Sequence, residues 1–347
     1  MVTEKNVTIG DIGEFGLIDR LQRICRQVES PPGVVIGIGD DTAVFGADGT
    51  AMLATCDIHV EGVHFQLDTI TPYQLGRRSM TVNLSDIAAM GGQPSIALVS
   101  LALPEMLPIE SFDALFEGMR DEMAPHSAAI IGGNLARSDK LVVDVFMTGR
   151  VAKDGFLTRS GARPGDIICV TGSLGGSAAG LALISKGEAS GATRLSRLQH
   201  AYLQPRARVR EGQEIARSGL ATAMIDISDS LAADLGHLCD SSGVGAELFQ
   251  AETPMAEGLE EAARVTGDNP WRYVLFGGED YELLFTIRKD AVDRLTDLAE
   301  SLDTPIHRIG KILPAAEEGC WLVNADGDRR RLETKGWDHF RSGNRAE

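Results

Sequence analysis

Short apolar runs alternate along this chain with stretches of helical length, and several of those runs end in glycine and acidic residues. Residues 34–39 form one run, which closes on Gly39-Asp40-Asp41, and residues 51–55 form a second, which closes on Cys56-Asp57. Both read as strands that deliver carboxylates to a strand end. Residues 72–90 read as a helix, with Pro72 suited to its first turn and Gly91-Gly92 as its stop. Asn83 and Asp86 are three apart and share a face of it. A helix over 109–123 precedes a strand over 128–131 that ends in Gly132-Gly133-Asn134, then a longer strand over 141–151. The alternation predicts an α/β chain that builds its site from loops on rigid sheets.

The 347 residues exceed the size at which one hydrophobic core stops growing, so two domains are expected. Residues 152–164 are rich in glycine and polar side chains, with Pro164 just before a strand over 166–171. The predicted boundary lies there, dividing 1–152 from 153–347. Beyond it, 172–180 opens a helix, 221–225 is a strand leading into Asp226-Ile-Ser-Asp229, 229–239 is a helix, and 281–287 is a further strand. Asp229 or Ser228 is the expected N-cap of the 229–239 helix.

Hydrophobic residues make up 43% and charged residues 24%, a globular profile. The formal charge of -17 argues against nonspecific nucleic-acid binding and against anionic membranes, both of which would repel the chain. It leaves room for a polyanionic substrate reached through divalent cations. The five cysteines are scattered and form no CxxC pair, which fits a reducing cytosol. The opening MVTEKNVTIGD has no charged end followed by an apolar core, and no apolar stretch of about 18 residues occurs. A cytoplasmic protein, neither exported nor membrane-spanning, is expected.

Adjacent carboxylates such as Asp40 and Asp41 repel, and a strand end can carry both if cations sit between them and phosphates; Gly-Asp is also ordinary turn chemistry. Asp57, Asp86, Asp226 and Asp229 add hard oxygen ligands from both halves, the donor type magnesium prefers. Cys56, His59 and His64 match no standard zinc spacing. The run 172–180 is glycine-rich after a strand, a setting that can receive phosphate, though tight packing accounts for it equally well. The Gly-Lys-Ser/Thr end of a P-loop is absent, as are His-Arg-Asp and Asp-Phe-Gly. Glu279 stands at the start of an apolar strand. Trp337 lies in a charged tail, where an aromatic residue suggests docking or stacking.

In order, Gly13-Glu-Phe-Gly-Leu-Ile18, Gly37-Ile-Gly-Asp-Asp41, Thr55-Cys-Asp57, Val60-Glu-Gly-Val-His-Phe65 and Val82-Asn-Leu-Ser-Asp-Ile-Ala-Ala-Met-Gly91 occupy the first half. Leu157-Thr-Arg-Ser-Gly161, Asp226-Ile-Ser-Asp229, Gly277-Gly-Glu-Asp-Tyr-Glu282 and Gly336-Trp-Asp-His-Phe340 follow. The series resembles the thiamine-monophosphate kinases, of the superfamily of aminoimidazole ribonucleotide synthetase and selenophosphate synthetase. The resemblance implies an α/β fold with an N-terminal domain that pairs with its copy in a homodimer and a C-terminal domain closing over the cleft. It also implies ATP-dependent phosphorylation of thiamine monophosphate with magnesium, by direct transfer.

Carried over by residue, it assigns metal binding to Asp41, Thr55, Cys56, Asp57, Asp86, Asp226 and Asp229, with Asn134 where the family usually has an acid. Asp57, Asp86, Arg159 and Asp229 take the catalytic roles. Gly133, Asn134, Arg159 and Ser228 serve the nucleotide, and His64, Glu279 and Trp337 the acceptor. Ser230 and Cys56 are further departures, standing where Gly and Thr or Ser are usual. The residues alone leave two other readings open: the same fold with a different acceptor, or a nucleotide-binding dimer without turnover.

Overall fold

The computed structural model describes residues 9–25, 33–46, 49–187 and 194–334. The first half runs α1 (Ile9–Cys25), β1 (Val34–Ile36), β2 (Ala43–Phe45), β3 (Thr50–Val60), α2 (Pro72–Ala89), β4 (Gln93–Leu103), α3 (Ile109–Met123), β5 (Ala129–Arg137) and β6 (Val142–Ala152). The second continues β7 (Ile167–Thr171), α4 (Gly176–Ser185), α5 (Arg194–Leu203), α6 (Val209–Ser218), β8 (Ala221–Asp226), α7 (Leu231–Ser242), β9 (Gly245–Phe249), α8 (Leu259–Thr266) and α9 (Pro270–Phe276). It closes with β10 (Leu283–Ile287), α10 (Val292–Glu300), β11 (Ile306–Leu313), β12 (Cys320–Val323) and β13 (Arg329–Arg331). Among the described residues these strands form two mixed sheets, ordered β1-β2-β3-β6-β4-β5 and β13-β12-β9-β11-β7-β10-β8.

The first sheet is covered on one face by α2 and α3. Pleating sends Leu53, Val99, Val143, Val145 and Met147 under the helices, all buried. The opposite face is open. Cys56, Phe146 and Leu98 stand in one register row, and Ile58, Asp144, Ser100 and Asn134 in the next. Ile58 on that face is 51% exposed.

Helix α2 starts where its sequence predicts. Thr71 and Gln74 exchange a capping box around Pro72. It is buried on nearly every side, wedged between the sheet, α3 and the second half. At the α2–α3 crossing a Cβ on Gly76 would stand 1.9 Å from the Leu115 carbonyl, and one on Gly118 2.0 Å from that of Tyr73. Only glycine at both positions permits this approach. One apolar cluster extends from Leu53 and Leu84 to Met224 and Phe285, so the second sheet packs on the same core. Helix α2 thereby sits at the seam of the halves, where its Asp86 can meet residues from both.

Three expectations need revision. β3 runs on to Val60, so Thr55, Cys56 and Asp57 lie inside a strand, and Gly132-Gly133-Asn134 lies inside β5. Helix α7 is capped by Ser230, whose hydroxyl accepts from Ala233 N, and not by Asp229 or Ser228. No helix among the described residues is long and apolar enough to cross a membrane.

Candidate active site

Asp41, from the turn after β1, Asp86, from α2, and Asp226, the last residue of β8, converge with carboxylate oxygens within 4.8 Å of one another. Each comes from a different element, and the packing of α2 at the seam brings them together. Asp57 and Thr55 join from the helix-covered face of β3, where the Thr55 hydroxyl donates to Asp86 Oδ2. Ser85, beside Asp86, donates to Asp226 Oδ2 at 2.5 Å. Arg159 crosses from the segment between the sheets: its Nε donates to Asp41 Oδ1 at 3.0 Å and its backbone N–H to Asp40 at 3.3 Å.

The cluster holds more negative charge than its neighbours neutralise. Burial raises Asp57 to about 6 and, helped by the Asp41 charge, Asp226 to about 7, from an ordinary 3.8. Asp40 rises to about 6 through burial and the adjacent Asp41. Asp86 is pushed well above the usual carboxylate range by burial and then by Asp57, Asp226 and Asp41. Burial opposes the Arg159 charge, but Asp41 and Asp40 outweigh it. Asp41 Oδ2 and Asp57 Oδ2 are buried with no hydrogen-bond partner among the described residues. Orphaned, desolvated carboxylate oxygens in a cluster of buried acids are the donor type that a hard divalent cation would satisfy, relieving their repulsion.

The neighbouring loop, Asp226 to Ser230, carries Asp229, which burial raises to about 6, with Glu14 adding to the shift. Asp229, Asp234 and His237 form a second group whose ligand atoms lie within 4.8 Å of one another. Ser230 has φ 175°, extended backbone open to any residue, so serine there needs no glycine-like conformation. Ser228 serves this loop through its backbone, its carbonyl accepting from Glu279 N at 2.8 Å.

Glu279 and Tyr281 have φ of 66° and 51°, left-handed values for side-chain-bearing residues. Two such residues around Asp280 mark a strained segment of the kind that collects at functional sites. The Glu279 carboxylate pairs with Arg78, a guanidinium 1% exposed that also donates to the Tyr202 carbonyl and lies 4.3 Å from the Tyr202 ring. Asp280 accepts from Gly175 N and Ser177 N at 2.7 and 3.2 Å. That carboxylate occupies the N-terminus of α4, so the glycine run 172–180 is closed by the protein's own acid and is not a phosphate cradle here. His64 Nδ1 accepts from Val60 N at 3.0 Å, and its ring centroid lies 5.9 Å from that of His59.

Two assigned ligands stand apart from the cluster. Cys56 is adjacent to Asp57 on a strand, so its thiol points to the open face, where it donates to Asp144 Oδ1 at 3.3 Å. Only its backbone remains on the strand axis beside the acids. His59, an odd three residues on, faces the covered side, which rules out the Cys56-His59-His64 zinc set. Asn134 shares the open face, and three strand spacings place β5 about 14 Å from β3. Gly133 packs its backbone on that of Val99, where a Cβ would fall 1.8 Å from the carbonyl oxygen. Trp337 lies outside the described residues.

Arg78, Ser85, Asp234 and Asp280 were not singled out in the sequence. Ser85 sits inside the Val82–Gly91 motif, and Asp234 is one helical turn past Ser230. Neither spacing signals by itself the bond each makes.

The chain matches two family models, the AIR synthase related protein N-terminal domain over residues 39–151 and the C-terminal domain over 163–322. It is 38% identical over 331 residues to the thiamine-monophosphate kinase of Aquifex aeolicus, covering 95% of this chain and 99% of that protein. Against the thiamine-monophosphate kinase of Escherichia coli strain K12 it is 38% identical over 333 residues, covering 94% and 98%. A solved structure described as AaThiL complexed with AMPPCP and TMP superposes with a TM-score of 0.84 at 34% identity, over 97% of this chain and 100% of that one. With its aspartate cluster at the seam of two AIR-synthase-type domains, and with identity at this level along nearly its whole length, the chain belongs to the thiamine-monophosphate kinase family.

Proposed function

We propose that this chain transfers the γ-phosphoryl group of ATP to the phosphate of thiamine monophosphate, giving thiamine diphosphate and ADP, with magnesium as the required cation. The observation that carries the reading is the convergence of Asp41, Asp86 and Asp226 beside Arg159, in a chain 38% identical to thiamine-monophosphate kinases. A close relative described with AMPPCP and TMP supports a nucleotide and the acceptor as the two substrates.

Asp41, Asp57, Asp86, Asp226 and Asp229 would hold magnesium, with Thr55 orienting Asp86 and Ser85 orienting Asp226. Bound there, the cation supplies charge neutralisation for the phosphates. Arg159 is anchored at Asp41 with a quarter of its side chain exposed, which leaves guanidinium donors for a transferring phosphoryl group. An acceptor phosphate oxygen is already ionised at neutral pH, so the reaction needs no general base, and the site offers no obvious one. Glu279, held by Arg78, and His64, held at Val60, are the proposed acceptor contacts; Ser228 and Gly133 are proposed for the nucleotide.

The halves divide at residues 152 and 153 in this reading, ahead of β7. The open face of the first sheet is the proposed homodimer surface, because Leu98 and Phe146 in one row and Ile58 in the next would otherwise leave exposed apolar side chains in water. The cytoplasm is the proposed compartment, in keeping with free thiols at all five cysteines.

The test is an acceptor panel with purified protein, ATP and magnesium. Thiamine diphosphate should form from thiamine monophosphate, and ADP should not accumulate with unphosphorylated thiamine. ATP consumption with another acceptor, and no thiamine diphosphate, would overturn the reading.

A further inference from the structure

We propose that Asp234 is a positioning residue that sets the geometry of the Asp226–Asp229 ligand loop without itself contacting substrate. This rests on the reading of Asp226 and Asp229 as cation ligands. The chain leaves β8 at Asp226 and must enter α7 at Leu231, and within that short span it has to aim two carboxylates into the cleft.

Asp234 lies one turn into α7 and is 3% exposed. A single oxygen, Oδ2, accepts from Ser228 N at 3.1 Å, Asp229 N at 3.2 Å and Ser230 N at 3.0 Å. Three consecutive backbone donors therefore converge on one buried acceptor. From the other side the 277–282 segment takes the loop's carbonyls. Glu279 N donates to Ser228 O at 2.8 Å and Tyr281 N to Ile227 O at 2.9 Å, while Ile227 N donates to Glu282 O at 2.8 Å. A Cβ on Gly278 would lie 2.5 Å from the carbonyl oxygens of both Ser228 and Asp229, so the two segments are in close backbone contact.

With donors gathered by Asp234 and acceptors by 277–282, the backbone of the loop has one conformation open to it. The spacing of Asp226 and Asp229 is fixed before any cation arrives. An ordinary capping acid serves the first turn of its own helix. Here the donors precede α7 and include the amide of a ligand residue itself. Asp234 also lies close to Asp229, near enough that direct coordination is the competing role for its carboxylate. An amide in its place distinguishes the two, since it keeps the acceptor oxygen and loses the charge.

The test is manganese binding to the full-length protein, followed by electron paramagnetic resonance in the presence of a non-hydrolysable ATP analogue, together with the magnesium concentration that half-saturates activity. Asp234→Ala is expected to weaken manganese binding at least tenfold and to raise the magnesium requirement in parallel, with the KM for thiamine monophosphate unchanged. Asp234→Asn should stay within about threefold of wild type in both. Asp234→Ser, whose hydroxyl is too short to gather three donors, replaces the alanine variant if that one does not fold, and should behave as it would. Unchanged manganese affinity in the alanine or serine variant, with only a lower melting temperature, would overturn the proposal in favour of simple capping. Equal losses in the alanine and asparagine variants would overturn it in favour of direct coordination. Asp226→Asn is the control for the underlying reading: unaltered manganese binding there would count against the ligand loop itself, whatever Asp234 does.

Discussion

Asp226→Asn should make the metal-free protein more stable while abolishing its activity. Asp226 is 2% exposed, and burial and then the Asp41 charge raise its carboxyl from an ordinary 3.8 to about 7. The folded state therefore binds more protons than the unfolded chain between these two values, and stability falls as the pH rises through that window. Roughly three units at ~1.4 kcal/mol each put the penalty near ~4 kcal/mol at pH 8. Asparagine removes the charge and keeps an acceptor for Ser85, whose bond already lowers the Asp226 value and is therefore contained in that penalty. The gain is up to about 4 kcal/mol, or about 3–6 °C in melting temperature. Circular-dichroism melts in chelator at pH 8 should show it, and the gap should narrow at pH 5, where wild-type Asp226 is largely protonated. Magnesium should reverse the order at pH 8, because it stabilises only a protein that binds it. A variant that melts at or below wild type in chelator at pH 8 would refute the reasoning.

Asp57→Asn and Asp86→Asn should each lower thiamine diphosphate formation by at least about a hundredfold, roughly 3 kcal/mol of transition-state stabilisation, with the far-ultraviolet spectrum unchanged. Wild-type rates in either would count heavily against the cation assignment. If the proposed homodimer forms through the open face of the first sheet, wild type should scatter light as a dimer and Leu98→Arg as a monomer; a dimeric mass in the variant would contradict that interface. Gly118→Ala drives a Cβ to 2.0 Å from the Tyr73 carbonyl at the α2–α3 crossing and should destabilise the protein by about 3 kcal/mol in a denaturant melt. A melt within 0.5 kcal/mol of wild type, a bound taken from ordinary surface substitutions, would show the crossing to be looser than described.

The elements with their own start signals were legible in the sequence. Helix α2 carries Pro72 in its first turn and Gly91-Gly92 past its end, and the helix of 109–123 coincides with α3. β4 was not read as a strand, because QPSIALVSLAL is apolar almost throughout and lacks period-two alternation. Arg329–Arg331 is a strand only because β12 pairs with it, which no local pattern announces. The aspartates of the site were legible as motif residues. That Asp41, Asp86 and Asp226 meet depends on α2 packing at the seam, a tertiary fact. Strand parity separates Cys56 from Asp57, since neighbours on a strand face opposite ways, but it applies only because β3 continues to Val60, which no break in the sequence pattern marks. Asn134 was lost from the cluster by the same route once Gly132-Gly133 proved to lie within β5. Asp234 could not have been found from spacing, because its partners are backbone amides in the preceding loop.

Phosphorus NMR of a single reaction follows the cation-dependent transfer of a phosphoryl group onto the phosphate of thiamine monophosphate. With ATP, thiamine monophosphate and magnesium, the acceptor's lone phosphate resonance should give way to the coupled pair of thiamine diphosphate as ADP appears in equal amount. With chelator in place of magnesium the spectrum should not change. ADP and inorganic phosphate without the coupled pair, or thiamine diphosphate formed at the same rate in chelator, would contradict the account.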